Sequence, residues 1–119
     1  MIDLHSHLLP GVDDGCRTLE ESISCARRLL DHGFSGTVCT PHIWSAVFPD
    51  NTPGRIVNWV TLLQEHLDAA GLNYQLWTGG EVRIANDTIS WLEKHGVPTI
   101  GSSRHELVDY WGNNWPALC

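Results

Sequence analysis

Short apolar segments alternate along this chain with helices whose ends are marked in the sequence. Thr18-Leu19-Glu20-Glu21 is a capping box, and the apolar spacing after it predicts a helix from about residue 19 to 32. Pro53 suits the first position of a second helix, and a third is predicted from about residue 87 to 95. A short apolar stretch follows near residues 107 to 110. Such alternation is typical of an α/β fold, in which helices cover a parallel sheet.

Each predicted strand leads into a residue that can bind a metal ion. His5 and His7 lie two apart on the first strand, so both imidazoles project from the same face. His42 follows the second strand, and Glu81 follows the third. Because the carboxyl ends of parallel strands meet at one edge of a sheet, these side chains are expected to gather there. Imidazole and carboxylate together suit zinc, iron or manganese.

Several of these residues also have ordinary interpretations. Asp13 and Asp14 precede Gly15, and Asp-Gly alone is typical of a simple turn. His42 alone is equally well explained as a surface loop residue, and Glu81 as a solvated turn carboxylate. For His42 and Glu81, the repeated placement at strand ends favours metal binding. For the aspartates, their position in the loop that follows the two histidines favours it.

Composition excludes some classes of function. The formal net charge is −7, and the 7 lysines and arginines form no basic cluster, which argues against a nucleic-acid partner. No apolar run approaches the length of a membrane span, and no secretory leader is apparent. The 4 cysteines lack a C-x-x-C spacing and are expected to be thiols. We therefore expect a cytoplasmic protein with no membrane insertion.

Phosphate chemistry by two common routes is not supported. The sequence has no phosphate-binding loop of the G-x-x-x-x-G-K type. No cysteine is followed six residues later by arginine, which argues against a thiolate phosphatase. Arg83, two residues after Glu81, either contacts an anionic substrate or belongs to a surface ion pair. Four other histidines are interpreted as structural: His32, His66, His95 and His105.

Three segments, residues 1–15, 40–42 and 79–84, resemble the PHP (polymerase and histidinol phosphatase) superfamily. Within it, His-Ser-His-Leu-Leu-Pro-Gly-Val-Asp-Asp-Gly followed by Thr-Leu-Glu-Glu-Ser is similar to the manganese-dependent protein-tyrosine phosphatases of bacterial capsular and exopolysaccharide loci, the CpsB type. The resemblance extends from Met1 to about Asp109.

The resemblance implies a distorted (β/α)7 barrel, of which residues 1–119 would be about the first half, βαβαβαβ, of a truncated domain. It implies a divalent metal, manganese first, with magnesium, iron or zinc as alternatives. In segment 103–109, Asp109 occupies the place of a family glutamate. The implied ligands are His5, His7, Asp14, His42, Glu81 and Asp109.

The implied activity is hydrolysis of phosphotyrosine by metal-activated water, without a covalent enzyme intermediate. The implied partner is a phosphotyrosine protein, a bacterial tyrosine kinase of polysaccharide export. Two alternatives stay open, namely a PHP phosphoesterase acting on a small phosphate ester and a non-catalytic metal-binding module. A half-barrel also has unpaired strand edges, so low stability and self-association into a homo-oligomer are expected.

Overall fold

A computed structural model describes residues 1–112 of the chain. These residues form an α/β fold, as predicted, with parallel strand pairing throughout. The elements in chain order are β1 (Ile2–Ser6), α1 (Leu19–Asp31), β2 (Gly36–Cys39), β3 (His42–Ile43), α2 (Pro53–Ala69), β4 (Gln75–Thr78), β5 (Glu81–Arg83), α3 (Thr88–His95) and β6 (Leu107–Asp109).

The helices begin where the sequence predicts. The Thr18 hydroxyl accepts a hydrogen bond from the Glu21 amide, and α1 starts at Leu19. The Glu21 carboxylate reaches back to the Arg17 amide rather than to that of Thr18. Thr52 caps α2 in the same way through the Arg55 amide. Local capping therefore sets both helix starts independently of the rest of the fold.

The strands form two parallel sheets. One sheet has the order β1-β2-β4 and the other β3-β5-β6. The second sheet arises because His42 and Glu81, expected just past the strand ends, instead begin the short strands β3 and β5, where they are register partners. Pro41 separates β2 from β3, since proline has no amide to donate to the ladder. Gly79-Gly80 separates β4 from β5.

The core lies between the sheets and the helices. The apolar stripe of α2 is buried as its spacing predicts: Ile56, Val60, Leu63 and Leu67. It packs with Leu8 and Leu9, which follow β1, and with Tyr74 and Leu76 near the start of β4. Burial raises the pKa of the Tyr74 hydroxyl to about 12. This core fixes the position of the loop after β1, from which several polar side chains project.

The outer edges of the two sheets differ in whether another part of the chain covers them. The outer edge of β4 is covered by Gln64 of α2, whose side chain donates to the Tyr74 carbonyl (2.9 Å) and accepts from the Leu76 amide (2.8 Å). The outer edges of β1 and β6 have no strand partner within residues 1–112. None of the three helices in this part of the chain has the length and apolar character needed to cross a bilayer.

Candidate metal centre

Three histidines converge on one carboxylate oxygen. Glu81 Oε2 lies 3.3 Å from His5 Nε2, 3.1 Å from His7 Nε2 and 3.3 Å from His42 Nδ1. His5 Nε2 and His7 Nε2 are themselves 3.3 Å apart. Glu81 is 9% exposed, so this carboxylate is held inside the cluster rather than in solvent. The structure therefore brings together residues from β1, from the loop directly after it, and from β3 and β5.

Two aspartates extend the cluster. Asp14 Oδ1 lies 3.2 Å from His42 Nε2, and an oxygen of Asp109 lies within 4.8 Å of ligand atoms of both His42 and Glu81. All six residues proposed as ligands from the sequence thus lie in one place. They form three overlapping groups: His5, His7 and Glu81; His7, Asp14 and His42; and His42, Glu81 and Asp109.

Because the three groups have residues in common, they cannot all bind an ion independently. A neutral imidazole has one free lone pair, so His42 can serve only one of its two groups as an ordinary ligand. Glu81 has two carboxylate oxygens and so could supply a donor atom to more than one group. The arrangement consequently offers donor atoms for more than one ion.

The spacing of the donor atoms fits metal binding. Two ligand atoms that each lie about 2.1 Å from one ion are about 3.0 to 3.4 Å apart for angles between a right angle and the tetrahedral value. The contacts around Glu81 Oε2 are 3.1 to 3.3 Å. Nitrogen and oxygen donors of this kind suit zinc, manganese or iron.

Asp13 holds the cluster from behind. Its side chain is fully buried, and Oδ2 accepts hydrogen bonds from His7 Nδ1 (2.8 Å) and from the His42 amide (3.0 Å). Oδ1 accepts from the Gly15 amide (3.0 Å). Because an ionised carboxylate only accepts, His7 must carry its proton on Nδ1, which leaves Nε2 free to face Glu81.

These contacts shift both ionisation equilibria. The hydrogen bond to Asp13 raises the pKa of His7 against the opposing effect of burial. Burial alone would raise the pKa of Asp13, but the hydrogen bonds from His7, Gly15 and His42 outweigh it and lower the pKa below its usual value. Asp13 is therefore ionised at neutral pH and fixes the orientation of the His7 ring.

The loop after β1 is locked by backbone contacts. The Cys16 amide donates to the His7 carbonyl (3.1 Å), and the Gly11 amide donates to the Cys16 carbonyl (2.8 Å). A Cβ at position 15 would collide with the carbonyl oxygen and Cβ of His7. The buried Asn51 side chain donates to the Val12 and His42 carbonyls, at 3.1 and 2.8 Å.

Arg83 lies at the rim of the cluster. Its Nε is 3.1 Å from Asp109 Oδ2, but this buried nitrogen makes no hydrogen bond within the described residues. The guanidinium carbon lies 4.3 Å above the ring centre of Trp44 and 5.4 Å from that of Trp111. Arg83 thus balances the charge of Asp109 and occupies an aromatic environment.

The sequence does not predict the supporting roles of Asp13 and Asn51. It favours Asp14 as the ligand, but the Asp13-Asp14 doublet does not reveal which carboxylate faces inward. Asn51 gives no signal, because one asparagine before a helix start resembles an ordinary turn residue.

Within residues 1–112, the cysteines and the other histidines belong to none of the three groups. Cys16, Cys25 and Cys39 are free thiols, and burial raises the pKa of Cys39 to about 12. Cys119 lies outside the described residues. His32 Nδ1 lies 2.7 Å from the Arg28 carbonyl at the end of α1, which is a structural contact.

Comparison with known proteins extends these observations. Residues 1–115 match the family model described as capsular polysaccharide synthesis, CpsB/CapC. The tyrosine-protein phosphatase CpsB of Streptococcus agalactiae is 30% identical over 111 residues, which are 92% of this chain and 45% of that protein. The tyrosine-protein phosphatase YwqE of Bacillus subtilis is 27% identical over 110 residues, which are 92% of this chain and 43% of that protein.

A solved structure is similar as well. It is described as YwqE from Bacillus subtilis and CpsB from Streptococcus pneumoniae, metal-dependent tyrosine phosphatases. The match has a TM-score of 0.87 and 26% identity, and it covers 99% of this chain and 47% of the other. The family match covers residues 1–115, and both the sequence and the fold resemble those of its members: this chain belongs to the CpsB/CapC family and spans about half the length of the relatives it matches.

Proposed function

We propose that this chain supplies the manganese-binding half of a metal-dependent protein-tyrosine phosphatase. The observation that carries the proposal is the convergence of three imidazole nitrogens on Glu81 Oε2, with Asp13 orienting one of them. The family relatives are named tyrosine phosphatases, and the solved relative is described as metal-dependent. The proposed ligands are His5, His7, Asp14, His42, Glu81 and Asp109.

The residues of the chain divide the work between them. The carboxylates and imidazoles bring donor atoms together, and Asp13 holds the His7 ring so that Nε2 needs no reorientation before binding. When bound, divalent ions would neutralise phosphoryl charge and lower the pKa of a water molecule. Arg83 lies beside Asp109 at the rim, where it could contact the phosphoryl group.

We further propose that residues 1–119 are the N-terminal part of a single metallophosphatase domain. Support comes from the structural match, which covers nearly all of this chain but 47% of its relative. The proposed substrate is a phosphotyrosine protein, specifically a bacterial tyrosine kinase of polysaccharide export, acted on in the cytoplasm. The three free thiols are compatible with a reducing compartment. Self-association through the outer edges of β1 and β6 remains a prediction.

The test compares manganese binding with hydrolysis. Purified chain is titrated with Mn²⁺ by calorimetry, and release of phosphate from a phosphotyrosine peptide is then measured with and without the ion. His7→Ala is expected to lower Mn²⁺ affinity more than about 100-fold. Removing a residue that only hydrogen-bonds a metal ligand typically costs less than this, and His7→Ala removes a proposed ligand itself. His32→Ala is the matched control, because His32 lies at the end of α1 outside the cluster.

The outcomes separate the alternatives. Manganese-dependent hydrolysis lost in His7→Ala supports the proposed phosphatase. Faster hydrolysis of small phosphomonoesters than of the peptide favours a small-molecule phosphoesterase. Binding that needs His7 without any hydrolysis makes the chain a metal-binding module. No specific Mn²⁺ binding contradicts the proposal.

A further inference from the structure

A cleft of about 350 Å³ opens at the ligand cluster. Its lining includes four of the proposed ligands: Asp14, His42, Glu81 and Asp109. It also includes three aromatic side chains: Trp44, Phe48 and Trp111. A molecule that fills this cleft therefore meets both charged groups and flat apolar surface.

The aromatic residues of the cleft adjoin a proposed metal ligand. The Phe48 ring is stacked on the His42 ring, with centroids 5.8 Å apart and an angle of 8° between the planes. The turn that carries it is closed by hydrogen bonds from the Val47 and Phe48 amides to the Trp44 carbonyl, at 3.0 and 2.7 Å. The positions of Trp44 and Phe48 are thus fixed relative to the ligand cluster by β3 and a short turn.

Arg83 also lines the cleft, and its ion pair with Asp109 carries no net charge. Its guanidinium lies over the Trp44 ring, and its charge is balanced by Asp109. Trp44 is partly buried, so the contact holds the indole in place against β5. The cleft consequently has a rigid aromatic surface adjacent to a site suited to a phosphoryl group.

Resting on the proposed function, we propose that Trp44 and Phe48 select aryl phosphates over alkyl phosphates by packing against the ring of the substrate. A phosphoryl group bound at the ligand cluster would leave its ester substituent in the same cleft as these aromatic side chains. A planar ring gains contact area and favourable ring geometry there, whereas a short alkyl group does not. The apolar groove between the β1 loop and α2, lined by Pro10, Trp59 and Leu62, is a poor site for a phosphate because no lysine or arginine of residues 1–112 lines it.

The test measures binding, so it does not depend on turnover. Mn²⁺-loaded chain is titrated by calorimetry with phenylphosphonate and with methylphosphonate, which share an anionic head and are not phosphate esters. Wild-type chain is expected to bind phenylphosphonate about fivefold more tightly, as expected for one aromatic contact. Trp44→Ala and Phe48→Leu should reduce the ratio of the two affinities toward one.

Two further variants control for structural damage. Trp44→Phe keeps a ring at the position and should retain most of the preference. Trp59→Phe alters a tryptophan in the apolar groove away from the cluster and should leave both affinities unchanged. Mn²⁺ titration of each variant checks that the ligand cluster is intact, and Phe48→Leu tests the inference if Trp44→Ala does not fold.

The results also separate this inference from the proposed function. Equal affinities for the two phosphonates in wild-type chain, or an unchanged ratio in both Trp44→Ala and Phe48→Leu, overturn the inference while Mn²⁺ binding stands. Failure of Mn²⁺-loaded chain to bind either phosphonate also overturns it. Failure to bind Mn²⁺ overturns both.

Discussion

Replacing Asp13 by asparagine should weaken both the fold and metal binding. The carboxylate accepts three hydrogen bonds, two on Oδ2 from His7 and His42 and one on Oδ1 from Gly15. An asparagine side chain has one oxygen, so its NH₂ group must face at least one of these donors. A buried donor without an acceptor costs about 1 to 3 kcal/mol, and we expect Asp13→Asn to lower the free energy of unfolding by that amount.

The same substitution should act on the proposed metal site through His7. Loss of an outer hydrogen-bond partner of a metal-binding histidine reduces metal affinity by about 10- to 100-fold. The assays are urea unfolding in the presence of a chelator, for the metal-free chain, and calorimetric titration with Mn²⁺. Measuring both on the same preparations separates the structural effect from the effect on binding.

Asp14→Asn is the matched control for Asp13→Asn. The Asp14 side chain is 72% exposed, so its replacement should change metal-free stability by less than about 0.5 kcal/mol while still lowering Mn²⁺ affinity. The reasoning is refuted if Asp13→Asn matches wild-type chain in both assays, or if the two variants lose the same stability.

Three further predictions concern pH, the β1 loop and the sheet edge. The pKa of His7 is raised by folding, so His7 stabilises the metal-free fold most at pH values below its ordinary pKa of 6.5. The pKa of Asp13 is lowered by folding, so Asp13 stabilises the fold at pH values above its ordinary pKa of 3.8. Urea unfolding between about pH 4 and 8 should show the free energy of unfolding falling as pH rises through the folded pKa of His7. Asp13→Asn should reduce this fall, because the hydrogen bond to Asp13 is the largest cause of the raised pKa. Gly15→Ala, forced against the His7 backbone, should cost about 1 to 3 kcal/mol and lower Mn²⁺ affinity. Gln64→Ala should cost about 1 to 2 kcal/mol in the same unfolding assay, by leaving the Leu76 amide unpaired.

Each of these predictions has a contradicting result. A stability profile unchanged by Asp13→Asn across this pH range would mean that the pair does not control it. Wild-type Mn²⁺ affinity in Gly15→Ala would show that the loop can move without disturbing His7. Unchanged unfolding of Gln64→Ala would mean that water replaces the side chain at the edge of β4.

Features governed by local sequence were predicted most accurately. The first helix was expected from about residue 19 to 32 and occupies Leu19–Asp31, because a capping hydroxyl and an apolar stripe act within a few residues. The second sheet was not predicted. Strands β3 and β5 are too short to show a period, and their pairing depends on the bend of the chain at Pro41 and Gly79-Gly80.

The candidate site shows the same division. Histidines and carboxylates after strands are visible in the sequence, and parallel pairing is enough to bring them together. The inward direction of Asp13 depends on how the loop folds back on His7, which no local pattern specifies. The sequence does not single out Trp44 or Phe48, since aromatic side chains most often pack in a core or at its rim.

The convergence on Glu81 has a consequence for the order in which the chain folds. His5 and Glu81 are 76 residues apart, so the cluster cannot form until both sheets have been made and brought into contact. Bringing the two ends of so long a segment together costs conformational entropy, and the stabilising contacts form only after that cost has been met. A metal ion at the proposed site would therefore bind after the tertiary structure has formed. If Mn²⁺ binds there, the rate of its capture during refolding should report completion of the tertiary structure rather than formation of its first strands.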